Sequence, residues 1–281
     1  MNHAQFAVFL LMHAVAIVGL FLVDWALPAL LLAGAVLLVQ GFGVTAFYHR
    51  YFSHRSFKTT RWFQLVGALL GNLAMQRDPL WWASHHRHHH LHSDEPADAH
   101  SPRNAGFLWS HMVWFMALDN CTTKEPLVKD FRKYAELCWL NRHPFAVPLG
   151  FAACLGAAGL ALQTYASDTN LTVSQLLFWG WLLPTLATNH ITYCVNSFGH
   201  TFGWQAYATG DDSRNSFLLA LLTLGEGWHN NHHHSPQAAR HGVRWWEIDA
   251  THGLLTVLAS AGLIWDLRRR DQRASSTEAA A

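Results

Sequence analysis

Nine histidines in this chain fall at spacings that could bind metal. HRYFSH supplies His49 and His54, HHRHHH supplies His86, His89 and His90, GEGWHNNHHH supplies His229, His232 and His233, and NSFGH adds Asn196 and His200. Imidazole is the commonest nitrogen ligand of transition metals. Residues three and four apart on a helix share a face, so His86 aligns with His89 and His90, and His229 with His232 and His233. Neighbouring His89 and His90 point about 100° apart around the axis and can address two ions. His49 and His54, five apart, do not share a face on a regular helix, which suits one ligand for each ion. Nine imidazoles and a carboxamide match two ions with roughly four or five ligands each. The ligands are neutral, unlike the Glu-x-x-His di-metal bundles, and no such Glu pair is present. Imidazole suits both iron and zinc.

These ligands work only where a fold gathers them, and composition indicates which kind. Of 281 residues 51% are apolar and 13% charged, with 14 Trp and 17 Phe. That balance points to a membrane, where aromatic rings gather at both interfaces. A formal net charge of +1 offers nothing to nucleic acid. Four apolar stretches, at about 4–23, 26–47, 144–163 and 172–195, approach the roughly 20 helical residues that cross a hydrocarbon core. Asp24 and Trp25 form a short turn between the first two, and Pro144 suits the first turn of the third. Segment 48–143 holds twelve Lys and Arg and segment 196–281 holds seven, which together are all nineteen in the chain. The positive-inside rule therefore puts both segments in the cytoplasm, as four crossings require. Residues 1–23 lack a basic n-region and an A-x-A site and read as a span, not as a cleaved signal.

The expected fold is all-α and integral to a membrane, one domain over 1–281. Four transmembrane helices carry a cytoplasmic helical cap, 48–143 and 196–270, that holds a dinuclear metal site. Shorter apolar runs at 62–75, 106–118 and 252–265 would pack the cap onto the membrane, and the tail at 271–281 reads as solvated. Each histidine cluster sits at the cytoplasmic mouth of a span, which scattered surface histidines would not produce. His3, His13, His111, His143, His190, His241 and His252 read as interfacial or hydrogen-bonded, and His100 as a group that orients a ligand from behind. Cys121, Cys138, Cys154 and Cys194 lack CxxC spacing and read as thiols. GFGVTA at 41–46 fits a dinucleotide fingerprint by letters only, because it ends a membrane span without a βαβ unit. Its glycines read as helix-packing positions. With no nucleotide or flavin site, electrons must come from another protein.

Together HRYFSHRSFK, HHRHHHLHSDEPADAHSP, NSFGHTFG and GEGWHNNHH resemble the membrane fatty acyl desaturases of the stearoyl-CoA desaturase type, in order and spacing, from about residue 44 to 250. The stretch GEGWHNNHHHSPQAARHGVRWWEID is similar to the bacterial and cyanobacterial delta-9 branch. The resemblance implies a cytoplasmic cap with two irons, where O2 is reduced with electrons from a ferredoxin or cytochrome b5-type donor. Two hydrogens leave adjacent methylenes of a saturated acyl chain, giving a cis double bond and two waters. The bacterial inner membrane is the implied location. By motif position the resemblance assigns His49, His54, His86, His89, His90, His200, His229, His232 and His233 as metal ligands and Asn196 as acting through a bound water. It places Gln76, Trp82, Thr188 and Tyr193 along the acyl tunnel. The chain departs from the animal acyl-CoA enzymes where basic head-group partners are expected, reading Ser84-His85 and Leu118-Asp119. An acyl-lipid substrate thereby stands level with acyl-CoA. Lipid hydroxylation at a similar site is the enzymatic alternative. Membrane metal transport is the non-enzymatic one, and it would require an ionisable path through the spans.

Overall fold

The computed structural model describes residues 1–166, 169 and 171–270, so expectations for the tail at 271–281 and for part of the 163–170 loop lie outside the described residues. The backbone is a succession of helices: α1 (His3–Leu22), α2 (Leu27–Phe42), α3 (Arg61–Asn72), α4 (Pro79–Leu91), α5 (Pro102–Ala105), α6 (Ala135–Arg142), α7 (Ala146–Tyr165), α8 (Val173–Leu177), α9 (Leu183–Ser197), α10 (Phe217–Leu222), α11 (His229–His234) and α12 (Ala250–Ser260). Local chemistry sets the starts. Asn2 Oδ1 accepts the Gln5 amide at the head of α1, and Pro28 sits in the first turn of α2. Asp78 accepts the Leu80 and Trp81 amides ahead of α4, with Pro79 as its first residue.

Among the described residues three helices are long and apolar enough to cross a membrane: His3–Leu22, Leu27–Ser53 and Ala146–Tyr165. With 20 residues, α1 spans ~30 Å at 1.5 Å per residue, about the hydrocarbon thickness. Its surface is apolar and exposed, Phe21 at 84% for instance, which is how a helix facing lipid reads. The fourth expected stretch is helical backbone from Val173 to Ser197 in three parts: α8, a π-turn at Phe178–Leu182, and α9. Thr185, Thr188, Asn189 and His190 make this run more polar than the other three, and it does not meet the same criterion.

Three local expectations are corrected. Helix α7 begins at Ala146, because Pro144 lies ahead of it and its carbonyl accepts Asn72 Nδ2 at 3.0 Å. The run 106–118 is a π-turn at Trp109–Val113 followed by a 3₁₀ turn at Trp114–Met116, not one helix. The fold is also not wholly helical: β1 (Lys58–Thr59) pairs antiparallel with β2 (Ile264–Trp265). This pair ties the segment after α12 to the loop after the first histidine cluster, where Arg268 N also donates to Ser56 O at 2.8 Å.

The feature that most affects the site is the continuation of α2 as a π-helix over Gly43–Ser53, all of it buried. A π-helix bonds i to i+5, and His54 N donates to His49 O at 3.3 Å in that pattern. Phe47, Tyr48, Tyr51 and Phe52 from this element meet Phe57, Phe63 and Phe131 in the cap core. Helix α3 can press against it because of Gly67 and Gly71. A Cβ at Gly67 would fall 1.9 Å from the Phe47 ring, and one at Gly71 2.3 Å from the Tyr48 ring.

Candidate metal centre

The nine histidines converge into two groups. His49, His54, His86, His90 and His232 form the first, and His89, His200, His229 and His233 the second, each with its ligand atoms within 4.8 Å of one another. The i, i+4 pairs work as the helical period dictates: His86 and His90 on α4 share the first group, His229 and His233 on α11 the second. Adjacent residues divide between the groups, His89 from His90 and His232 from His233. His49 and His54 depart from expectation, since both enter the first group. In the π-helix, residues five apart stand over one another, whereas an α-helix would have turned them apart.

The outer nitrogens explain the tautomers. Nδ1 of His89 meets Asp98 at 2.9 Å, Nδ1 of His200 meets Asp94 at 2.8 Å, Nδ1 of His233 meets Asp211 at 2.6 Å, and Nδ1 of His49 meets Glu226. A carboxylate acceptor holds the proton on Nδ1, which leaves Nε2 a bare lone pair. These Nε2 atoms face one another: His49 and His232 at 3.0 Å, His232 and His90 at 2.9 Å, His90 and His86 at 3.0 Å, His86 and His54 at 2.8 Å. In the second group His229 lies 3.0 Å from His200 and 3.1 Å from His233. Protons could satisfy only alternate contacts along such a chain of nitrogens. A cation within each group satisfies them all, so the donor set fits two metal ions.

Burial adds to this. It pushes His54, His86, His90, His229 and His232 well below the usual imidazole range, and neighbouring imidazoles add to the effect. Burial also takes His233 down to about 4, against the opposing pull of Asp211. Neutral imidazole is the form that binds metal. For Asp94, Asp98 and Asp211 burial favours the neutral acid, yet their histidine partners and hydrogen bonds hold them well below the carboxylate range. His100 rests 4.3 Å, centroid to centroid, from His89 and forms a smaller group with His89 and Asp98 at the edge of the centre.

A cavity of about 250 Å³ reaches this centre. His49, His86, His89 and His229 form its inner end, and Leu37, Leu38, Gly41, Thr188, Ile191, Leu221 and Leu222 much of its wall. A second cavity, about 70 Å³, lies beyond Trp82, His86, Thr192 and Asn196, which border both. Of the residues expected along an acyl path, Trp82 stacks on His86 at 4.9 Å, and Gln76 accepts from Trp82 Nε1 and donates to Thr192. Thr188 lines the larger cavity and donates to Gln40 Oε1 at 3.0 Å, while Tyr193 lines the smaller one and stacks on Phe115. Asn196 sits in the walls of both.

Four acids and one histidine of the centre have no ligand spacing in the sequence. Asp94, Asp98, Asp211 and Glu226 each stand in or beside a polar motif, SDEPAD, GDDS or GEGW. His241, read as interfacial or hydrogen-bonded, is fully buried, 3.5 Å from Glu226 and 4.5 Å from the ring of His232. Fully buried Arg50 closes that corner with ion pairs to Glu226 and Asp249, both at 3.0 Å. The four cysteines are free thiols.

Comparison with known proteins agrees with this geometry. Residues 24–266 match the family model described as fatty acid desaturase. The chain is 36% identical over 234 residues to the sn-1 stearoyl-lipid 9-desaturase of Anabaena variabilis, covering 83% of this chain and 81% of that protein. It is 34% identical over 263 residues to delta-9 acyl-lipid desaturase 1 of Arabidopsis thaliana, 92% of this chain and 81% of that one. It is also 38% identical over 232 residues to an acyl-CoA 5-desaturase of Anemone leveillei, 81% and 67% respectively. With apolar helices of spanning length and histidine groups fit for metal, this chain belongs to the fatty acid desaturase family and is an oxidoreductase.

Proposed function

We propose that this chain is an O2-dependent desaturase that introduces a cis double bond, at the delta-9 position, into a saturated chain still esterified in a membrane glycerolipid. The observation that carries this reading is the apolar cavity whose inner end is formed by ligand histidines of both groups. Two iron ions held by His49, His54, His86, His90 and His232 and by His89, His200, His229 and His233 supply the dioxygen chemistry when bound. The chain's own residues do the rest. Trp82, stacked on His86, and the leucines of the cavity exclude water and hold the methylenes against the centre. Gln76, Thr188 and Tyr193 shape the path on either side, and Asn196 holds a water at the boundary between the cavities. One O2, two electrons from a ferredoxin or cytochrome b5-type donor, two protons and two chain hydrogens balance as two waters.

Two features support a lipid over acyl-CoA. Leu38, Leu221 and Leu222 line the cavity and yet are 59%, 48% and 55% exposed, so its mouth lies on an apolar flank. Ser84 and His85, where the animal acyl-CoA enzymes carry head-group partners, are buried, and His85 Nε2 is occupied by Thr122 O at 3.0 Å. The reading takes the chain as one domain with four spans, including 173–197, in a bacterial inner membrane with its cap in the cytoplasm. The test is expression with a ferredoxin in desaturase-deficient yeast, lipid classes being separated before gas chromatography and mass spectrometry, with His229→Ala as control. A new mono-unsaturated acid in glycerolipids and absent from the control is expected. A hydroxylated chain in its place would overturn desaturation, and product confined to acyl-CoA would overturn the lipid substrate.

A further inference from the structure

The two histidine groups differ sharply in the charge built around them. The second group has four imidazoles, three of which carry their own aspartate on Nδ1: His89 with Asp98, His200 with Asp94 and His233 with Asp211. These acids are held in place by further donors. Asp98 accepts the amides of Asp94 and His100, Asp94 accepts the Ser101 hydroxyl and the Asp212 amide, and Asp211 accepts from Thr209 and Ser213. Asp94 and Asp98 are 4% and 6% exposed, so water screens them little.

The first group has five imidazoles and one carboxylate, Glu226 on His49. That carboxylate is shared with the buried guanidinium of Arg50, which lies 3.0 Å away and opposes a nearby dication. Among the described residues each group also holds one ring whose Nδ1 has no hydrogen-bond partner, His232 here and His229 in the second group, so the difference lies in the carboxylates. A fifth imidazole adds one neutral donor, whereas two further buried anions act on a doubly charged ion through their full charge. Outer carboxylates also make the ligand nitrogen more basic and fix its ring.

We infer that the two metal positions are unequal and fill in order, the position formed by His89, His200, His229 and His233 binding first and more tightly, with Asp94, Asp98 and Asp211 as the positioning residues that set the order. This rests on the dinuclear reading of the histidines. A single equivalent of ferrous iron then resides with His89, and the second equivalent enters beside His49.

The experiment is titration of the full-length protein in detergent, stripped of metal and kept under argon, with ⁵⁷Fe²⁺, followed by Mössbauer spectroscopy at one and two equivalents. One quadrupole doublet at one equivalent, joined by a second at two, is expected. Asp98→Asn and Asp211→Asn, made separately, should each weaken the first step by about 10–100-fold and leave the second in place. Glu226→Gln should weaken only the second step. Both doublets growing equally from the start in the unaltered protein would overturn the inference, whatever the variants do. So would a first doublet that is lost with Glu226→Gln and kept in both aspartate variants. Uptake that stops below two equivalents would overturn the dinuclear reading instead.

Discussion

Two clusters of histidine among the described residues differ in kind: the first, at the centre, has the geometry of a metal site, and the second does not. The second joins α1 to α9: His13 Nε2 meets His190 Nε2 at 2.9 Å, His190 Nδ1 meets His111 Nε2 at 3.1 Å, and His111 Nδ1 meets Ser197 Oγ at 2.9 Å. His13 Nδ1 donates to Phe9 O at 2.7 Å, which closes the far end. Every ring nitrogen of the trio is used by a neighbour, and no carboxylate takes part. In the centre each ring presents one nitrogen inward, and four of the rings turn the other to an acid. Histidine density therefore says little by itself. One convergent nitrogen per ring, backed by an acid, distinguishes a binding site from a hydrogen-bonded brace.

The sharpest break of this comparison removes a histidine of the centre. His229→Ala should lose iron from the second group and abolish double-bond formation, exceeding the roughly 10–100-fold that loss of an outer partner produces. Elemental analysis of the purified protein beside its lipid profile checks this, and retention of both irons would remove His229 from the centre.

A smaller effect is expected where packing positions the ligands. Gly67→Val drives a side chain into the Phe47 ring on the element that carries His49 and His54. Overpacking of this kind costs about 1–3 kcal/mol. A lower melting temperature together with weaker iron binding in the first group is the expected result. An unchanged melting curve would mean that α3 does not hold the π-helix in place.

The smallest effect belongs to the brace. His13→Phe and His111→Phe remove hydrogen bonds of a kind worth on average about 0.6 kcal/mol between membrane helices. A slight loss of thermal stability is expected, with iron content and product unchanged. Loss of iron from either variant would erase the distinction between the two clusters.

Much of the histidine grouping was legible in the sequence because the rings come in helical repeats. His86 with His90 and His229 with His233 needed only the period of a helix, and the apolar lengths of α1, α2 and α7 needed only the thickness of a bilayer. His49 and His54 fall in one group and not one in each, because a π-helix has no signature in spacing alone. Asp94, Asp98 and Asp211 were missed because an acid near a histidine motif looks like any solvated loop residue until burial is known. The polarity of 173–197 has the same cause: Asn189 and Thr188 are buried against neighbours rather than exposed to lipid.

The sequence by itself determined which side chains could bind metal, through residue type and helical period, and which segments are apolar enough to enter a membrane. Only the tertiary structure decided how nine imidazoles divide into two groups and which of them receives the acids. That division depends on contacts such as His49 to His232, 183 positions apart, which no local propensity encodes. It is fixed by the packing of α3 and α4 against the buried π-helix, and by the loops that bring Asp94 and Asp211 beside His200 and His233.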